Sequence, residues 1–149
     1  RQDFARQWDL CWLTLVHPTA YVAADVTLGV GTVVCAGAIV LPGSVIGDHV
    51  IVNTSATVDH DCVVESFSHL APGVHLAGHV HVSEGALLGI GCVVTPGRCI
   101  GAWTVVGAGG VVVRDLPGGV VARGVPAVPQ RPNNDDGRPS HGGASWGMT

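Results

Sequence analysis

The chain has 149 residues, of which only 12% are charged and 22 are glycine, and its formal net charge is −4. That length suits one domain, and the negative balance supplies no basic field for nucleic acid. Hydropathy is high, yet Gly, Asp, His or Pro cuts every apolar run well short of the roughly 20 residues that a membrane helix needs, so a soluble protein is expected.

Residues 1–16 open without a methionine and without the apolar core of a signal peptide. They predict a short helix around Asp3 to Trp8 and a strand-like stretch from Cys11 to Val16, and are expected to be the remnant of a preceding domain or linker. From Val22 an aliphatic residue then recurs at every sixth position: Val22, Leu28, Val34, Val40, Ile46, Val52, Val58, Val64, Leu70, Leu76, Val82, Leu88, Val94, Ile100, Val106 and Val112. Six is a multiple of the strand period of two and not of the helical 3.6, so the chain is extended and coiled. Two residues earlier in each hexad the side chain is usually small, as at Ala38, Ser44, Ala56, Cys62, Ser68, Ala86 and Cys92, and it too points inward. Between these positions come turn residues such as Gly29-Val30-Gly31 and Ala71-Pro72-Gly73.

Three strands and three corners close a triangular coil of 18 residues, with coils stacked about 4.8 Å apart. The hexads from His17 to Val112 predict an all-β solenoid of about five coils within a domain spanning 17–129. Arg98 breaks the pattern by occupying an inward small slot, which predicts a local bulge or an Arg turned to solvent. Arg114 to Gly119 ends the period, and the polar, Pro- and Gly-rich residues 130–149 read as a disordered tail. The five cysteines show no CxxC or zinc-finger spacing, which fits a reducing cytoplasm, and Cys62 and Cys92 lie in inward slots where packing is their expected role.

The chemistry concentrates in residues 53–70, which carry Asn53-Thr54-Ser55, Asp59-His60-Asp61 and Ser68-His69. An imidazole beside a carboxylate makes a general base near neutral pH, because the acid fixes the tautomer and stabilises the imidazolium as it forms. His60 falls at a corner, outside the coil, so the residues alone leave it between a solvated histidine and a base. Gly78 lies 18 residues on, directly over His60; the missing side chain predicts room for a thioester and a backbone N–H aimed at its carbonyl oxygen.

These motifs, together with His17-Pro18-Thr19-Ala20, Phe67-Ser68-His69, Ala77-Gly78, Gly89-Ile90-Gly91 and Gly124-Val125-Pro126-Ala127, resemble the sialic-acid O-acetyltransferase and amino-sugar N-acetyltransferase branch of the hexapeptide-repeat acyltransferases. The resemblance implies a left-handed parallel β-helix, commonly trimeric, that moves an acetyl group from acetyl-CoA to an amine or hydroxyl of a sugar. It implies that His60 takes the acceptor's proton and that Asp61, where some relatives have Glu, raises its basicity. His69, Ile90 and the backbone of Ala108 beside Gly107 would contact acetyl-CoA, and Asn53 would lie near the acceptor. No metal is expected. The family's basic residue after Gly-x-Pro-Ala is replaced by Val128, and Arg114, Arg123 and Arg131 are the remaining cations for the CoA phosphates.

Asn53, His60 and His69 fall in three consecutive hexads, which predicts three different faces of one coil and a working site between subunits of a homotrimer. Two rivals share the fold. A γ-class carbonic anhydrase would need converging histidines, but His69, His75 and His81 share one hexad phase and so point apart. His79 stacks over Asp61 instead. A non-catalytic scaffold would show ladders of Thr or lack a closing tail, neither of which fits. Trp103 is expected to pack or meet another subunit rather than stack on adenine.

Overall fold

The computed structural model describes residues 2–8 and 10–133. After a helix over Gln2–Gln7, the chain winds through seventeen two-residue strands, from Leu15–Val16 to Val111–Val112. Every parallel pairing among them joins residues 18 apart, as in Leu15↔Val33 and His69↔Leu87. The result is three parallel sheets running along a triangular solenoid. The first contains Ile51–Val52, His69–Leu70 and Leu87–Leu88; the second, Thr57–Val58, His75–Leu76 and Val93–Val94; the third, Val63–Val64, His81–Val82 and Cys99–Ile100. No helix among the described residues is long and apolar enough to cross a membrane.

The solenoid makes about six turns rather than the expected five, because Leu15–Val16 already pairs with Val33–Val34 in the first sheet. Val16 is in phase with the repeat, but the hexad before it, Cys11 to Val16, carries none of the Gly, Asn or Asp that mark the other corners. At the far end the period shortens. Ile100 bridges Leu116 and Val105 pairs Val121, steps of 16 instead of 18. Arg98 sits where that shorter coil begins, and its side chain leaves outward to reach the Pro96 carbonyl and Asp115. A strand over Val120–Arg123 then pairs antiparallel with Val128–Pro132, which carries regular structure into the first residues of the expected tail. Residues 134–149 of that segment lie outside the described residues.

The sixth residue of almost every hexad is buried, and Val40, Val52, Leu70, Leu88 and Val106 are fully so. Each such side chain contributes about 1.5–3 kcal/mol by leaving water. The small slots are buried beside them: Ala38, Ala56, Cys62, Ala86 and Cys92 are 0% exposed. Where a hydroxyl occupies that slot it donates to a corner carbonyl of the next coil, Thr32 to Gly47, Ser44 to Asp59 and Ser68 to Ser83. Burial therefore leaves no polar side-chain atom unpaired among the described residues.

Corners follow one backbone rule. From Gly31 to Gly109 their third residue takes a left-handed conformation, with glycine at eight positions and His49, Ser55, Asp61, Phe67, His79 and Trp103 at six. A side chain larger than Asn or Asp in that region is uncommon, and here stacking supports it. The His49 ring lies parallel to Phe67 at 5.1 Å and meets Trp12 edge-on, while the Trp103 ring lies flat where a Cβ on Gly85 would be. Trp103 thus packs the corner between the third and first sheets.

Burial raises the thiol pKa of Cys62, and pushes that of Cys92 up to about 12. With a thiol reagent near pH 8, exposed Cys11 and Cys99 should react promptly, whereas Cys62 and Cys92 should react only on unfolding. Mass mapping of the labelled peptides checks this.

Candidate active site

His60 and Asp61 occupy the corner between the second and third sheets. The Asp59 carboxylate accepts the His60 backbone N–H at 2.7 Å, which fixes the turn. Asp61 is at the left-handed position (φ 56°), and that conformation swings its carboxylate back to His60 Nδ1 at 2.8 Å. An ionised carboxylate can only accept, so Nδ1 carries the ring proton and Nε2 holds the lone pair. The hydrogen bond to Asp61 raises the His60 pKa above its usual value, with Asp59 adding to it, and the same bond lowers the pKa of Asp61.

Gly78 lies one coil above, as the 18-residue step predicts, yet not as an open space. A Cβ there would stand 2.6 Å from His60 Nε2, 2.7 Å from Cε1 and 3.2 Å from Cδ2. The room left by the missing side chain is filled by the imidazole itself, whose face rests on the glycine, and Gly78 is buried beneath it. The space expected over the base is thus taken by the base itself, and the glycine seats the ring with Nε2 and Cε1 nearest to it. His79, next in the chain and also left-handed (φ 59°), approaches Asp61 from the other side at 3.9 Å, and its ring meets that of His60 nearly perpendicularly at 5.0 Å.

Asn53 and His69 are not on separate faces. Asn53 follows the Ile51–Val52 strand at the corner between the first and second sheets, and His69 begins the strand stacked on it. Asn53 Oδ1 accepts the Thr54 N–H at 2.8 Å, which turns its amide nitrogen to His69 Nε2 at 3.1 Å. Counting one face per hexad missed this, because a residue at the end of a strand borders two faces. His60 stays at a different corner.

The same first-to-second-sheet corner continues upward through Gly89-Ile90 and Gly107-Ala108. Ile90 is 63% exposed and its carbonyl is held by the Gly109 N–H at 2.8 Å. The Ala108 backbone nitrogen would lie 2.6 Å from a Cβ on Gly89, so two glycines keep this corner flat and its backbone accessible. Arg123, one of three arginines that sequence left equivalent, runs along it, with its Cγ 2.9 Å from a Cβ position on Gly107. Only the shortened final coil brings it there.

The histidines that suggested a zinc enzyme, His69, His75 and His81, lie one on each sheet. His81 instead pairs with Glu65 at 2.7 Å, and His75 with Thr57. Among the described residues, the group able to hold a metal ion is His60, Asp61 and His79, whose ligand atoms lie within 4.8 Å of one another.

Gly78→Ala should leave the fold intact, since Gly78 is not among the left-handed positions, but should displace the ring. Proton NMR of the His60 imidazole should report a changed environment with an unchanged circular dichroism spectrum. An unmoved His60 resonance would contradict the packing described.

No family model matches the chain. Among solved structures, the acetyltransferase domain of PglB from Neisseria gonorrhoeae, also determined with acetyl coenzyme A, superposes with a TM-score of 0.83 at 40% identity, covering 87% of this chain and 63% of that one. Perosamine N-acetyltransferase from Caulobacter crescentus, determined with CoA and GDP-perosamine, gives 0.84 at 48% identity, covering 87% and 62%. A galactoside O-acetyltransferase from Lactococcus lactis is 36% identical over 90 residues, which are 60% of this chain and 44% of that protein. The chain thus spans less than two thirds of the length of each. By repeat, fold and these neighbours, the chain is a hexapeptide-repeat β-solenoid of the kind found in the sugar acetyltransferases.

Proposed function

We propose that the protein transfers an acetyl group from acetyl-CoA directly to the amine of a nucleotide-linked amino sugar, with His60 as general base. The observation that carries this is the 2.8 Å contact of His60 Nδ1 with Asp61, which leaves a lone pair on Nε2 and a carboxylate ready to stabilise the imidazolium. The acceptor nitrogen attacks the thioester carbonyl and gives its proton to Nε2; collapse of the tetrahedral intermediate expels the CoA thiolate, which takes that proton back. Asn53 and His69 would meet the acceptor and the thioester, Ile90 the pantetheine arm, and the Gly107-Ala108 backbone with Arg123 the phosphates. The 48% identity to an N-acetyltransferase favours an amine; the O-acetyltransferase similarity keeps a sugar hydroxyl as the second reading.

His60 stands at one corner while Asn53, His69 and Ile90 gather around another, which supports a site completed by a neighbouring subunit. A trimer with heterologous contacts would supply three such sites. Free thiols at all five cysteines and the use of acetyl-CoA are in keeping with a cytoplasmic setting.

Acetyl-CoA should release free thiol on incubation with a GDP-linked amino sugar, and turnover with a simple galactoside alone would favour the hydroxyl reading. His60→Ala should lower kcat by about 10² to 10⁴. Because only the neutral imidazole acts, and Asp61 raises its pKa, activity should climb with pH through a value above the ordinary 6.5. Asp61→Asn should move that limb to lower pH while reducing the plateau, since the anion that favoured the protonated ring is gone. An unshifted limb would remove Asp61 from the mechanism.

A further inference from the structure

We propose that His60, Asp61 and His79 form an inhibitory site for a transition-metal dication, Zn²⁺ above all, which disables the base by reversing its tautomer. The inference rests on the reading of His60 as base, while the site itself rests on geometry alone. Asp61 Oδ2 lies 2.8 Å from His60 Nδ1 and 3.9 Å from His79 Nε2, and all three ligand atoms fall within 4.8 Å. A tetrahedral zinc with bonds of about 2.0–2.1 Å holds its ligands roughly 3.3 Å apart, a spacing that the two shorter contacts straddle. The side chains are exposed, so they are free to turn and close the remaining separation, which exceeds the tetrahedral spacing by at most roughly 1.5 Å.

The backbone prepares the cluster. Asp61 and His79 are the third residues of stacked corners, 18 apart and both left-handed, and the His79 N–H donates to the His60 carbonyl at 3.0 Å, clamping one corner to the other. Two imidazoles and a carboxylate leave a fourth position for water, a donor set that suits Zn²⁺.

The chemical consequence follows from proton position. In the free protein Nδ1–H is donated to Asp61 and Nε2 carries the lone pair. A metal binds only a lone pair, so coordination at Nδ1 requires the single ring proton to move, through solvent, to Nε2. The ring stays neutral, and the six-coordinate aqua ion gives up five water molecules and keeps one in the fourth position. Nε2–H can no longer accept the proton of an attacking amine or hydroxyl, and Asp61 is committed to the metal. No step of the proposed acetyl transfer uses His79, so it separates inhibition from catalysis.

The test titrates ZnCl₂ into the untagged, chelator-treated full chain by calorimetry without CoA, and in parallel follows acetyl transfer. His79→Asn is the informative variant because Asn tolerates the left-handed backbone; Cys99→Ser controls for zinc captured by an exposed thiol. The wild type and Cys99→Ser should bind one Zn²⁺ per chain and lose activity reversibly to chelator. His79→Asn should keep its turnover while both Kd and the inhibition midpoint weaken by about tenfold or more. Binding of equal strength in His79→Asn, or none in the wild type, overturns the proposal. If zinc binds through His79 but no acceptor is ever acetylated, the metal site stands and the transferase reading falls.

Discussion

The parallel backbone ladder, which returns each residue to the same place one coil later, is the constraint on which the rest of this structure depends. Strands of two residues cannot hold a sheet by themselves; each is held by hydrogen bonds to the coils above and below and by one buried aliphatic side chain. The ladder therefore fixes register with no freedom to slip, since a shift of one residue would turn Val52, Leu70 and Leu88 outward together. Side chains at corners inherit that rigidity. The backbone of two consecutive coils places Gly78 under the imidazole of His60 and Asp61 beside it.

The same ladder explains how chemistry is distributed. Corners project their third residue through a left-handed backbone, a conformation that costs of order 1 kcal/mol or more for a residue other than glycine. Most corners avoid the cost with glycine. Asp61 bears it, and in doing so brings a carboxylate to His60 from a chain position that a glycine would have left bare; His79 bears it one coil above. At the neighbouring corner the opposite choice prevails: Gly89, Gly91, Gly107 and Gly109 strip the surface to backbone, with Ile90 and Arg123 at its margin. On the proposed reading, the first corner holds and releases a proton and the second lies along an extended cofactor.

Sequence made much of this legible because a fixed period acts as a ruler. Steps of six gave the buried positions, and steps of eighteen placed Gly78 against His60 and His79 against Asp61. The ruler failed where spacing stopped being informative. It assigned Asn53 and His69 to different faces, although a residue that ends a strand belongs to both faces it borders. It could not choose among Arg114, Arg123 and Arg131, because the period shortens by two residues after Val112. Nor could it show that the space over His60 is occupied by the His60 ring, since spacing gives the neighbour but not which way a side chain leans.

The central claim is that one subunit's His60 works with another's His69, and subunit complementation tests it most directly. Chains carrying His60→Ala and chains carrying His69→Ala, each severely impaired alone, would be unfolded, mixed in equal amounts and refolded together. With random assembly into trimers bearing heterologous contacts, about a quarter of the sites would join an intact His60 to an intact His69. The account predicts recovery of activity towards that level. A mixture no more active than the two variants apart would contradict it, and would return both residues to a site within a single chain.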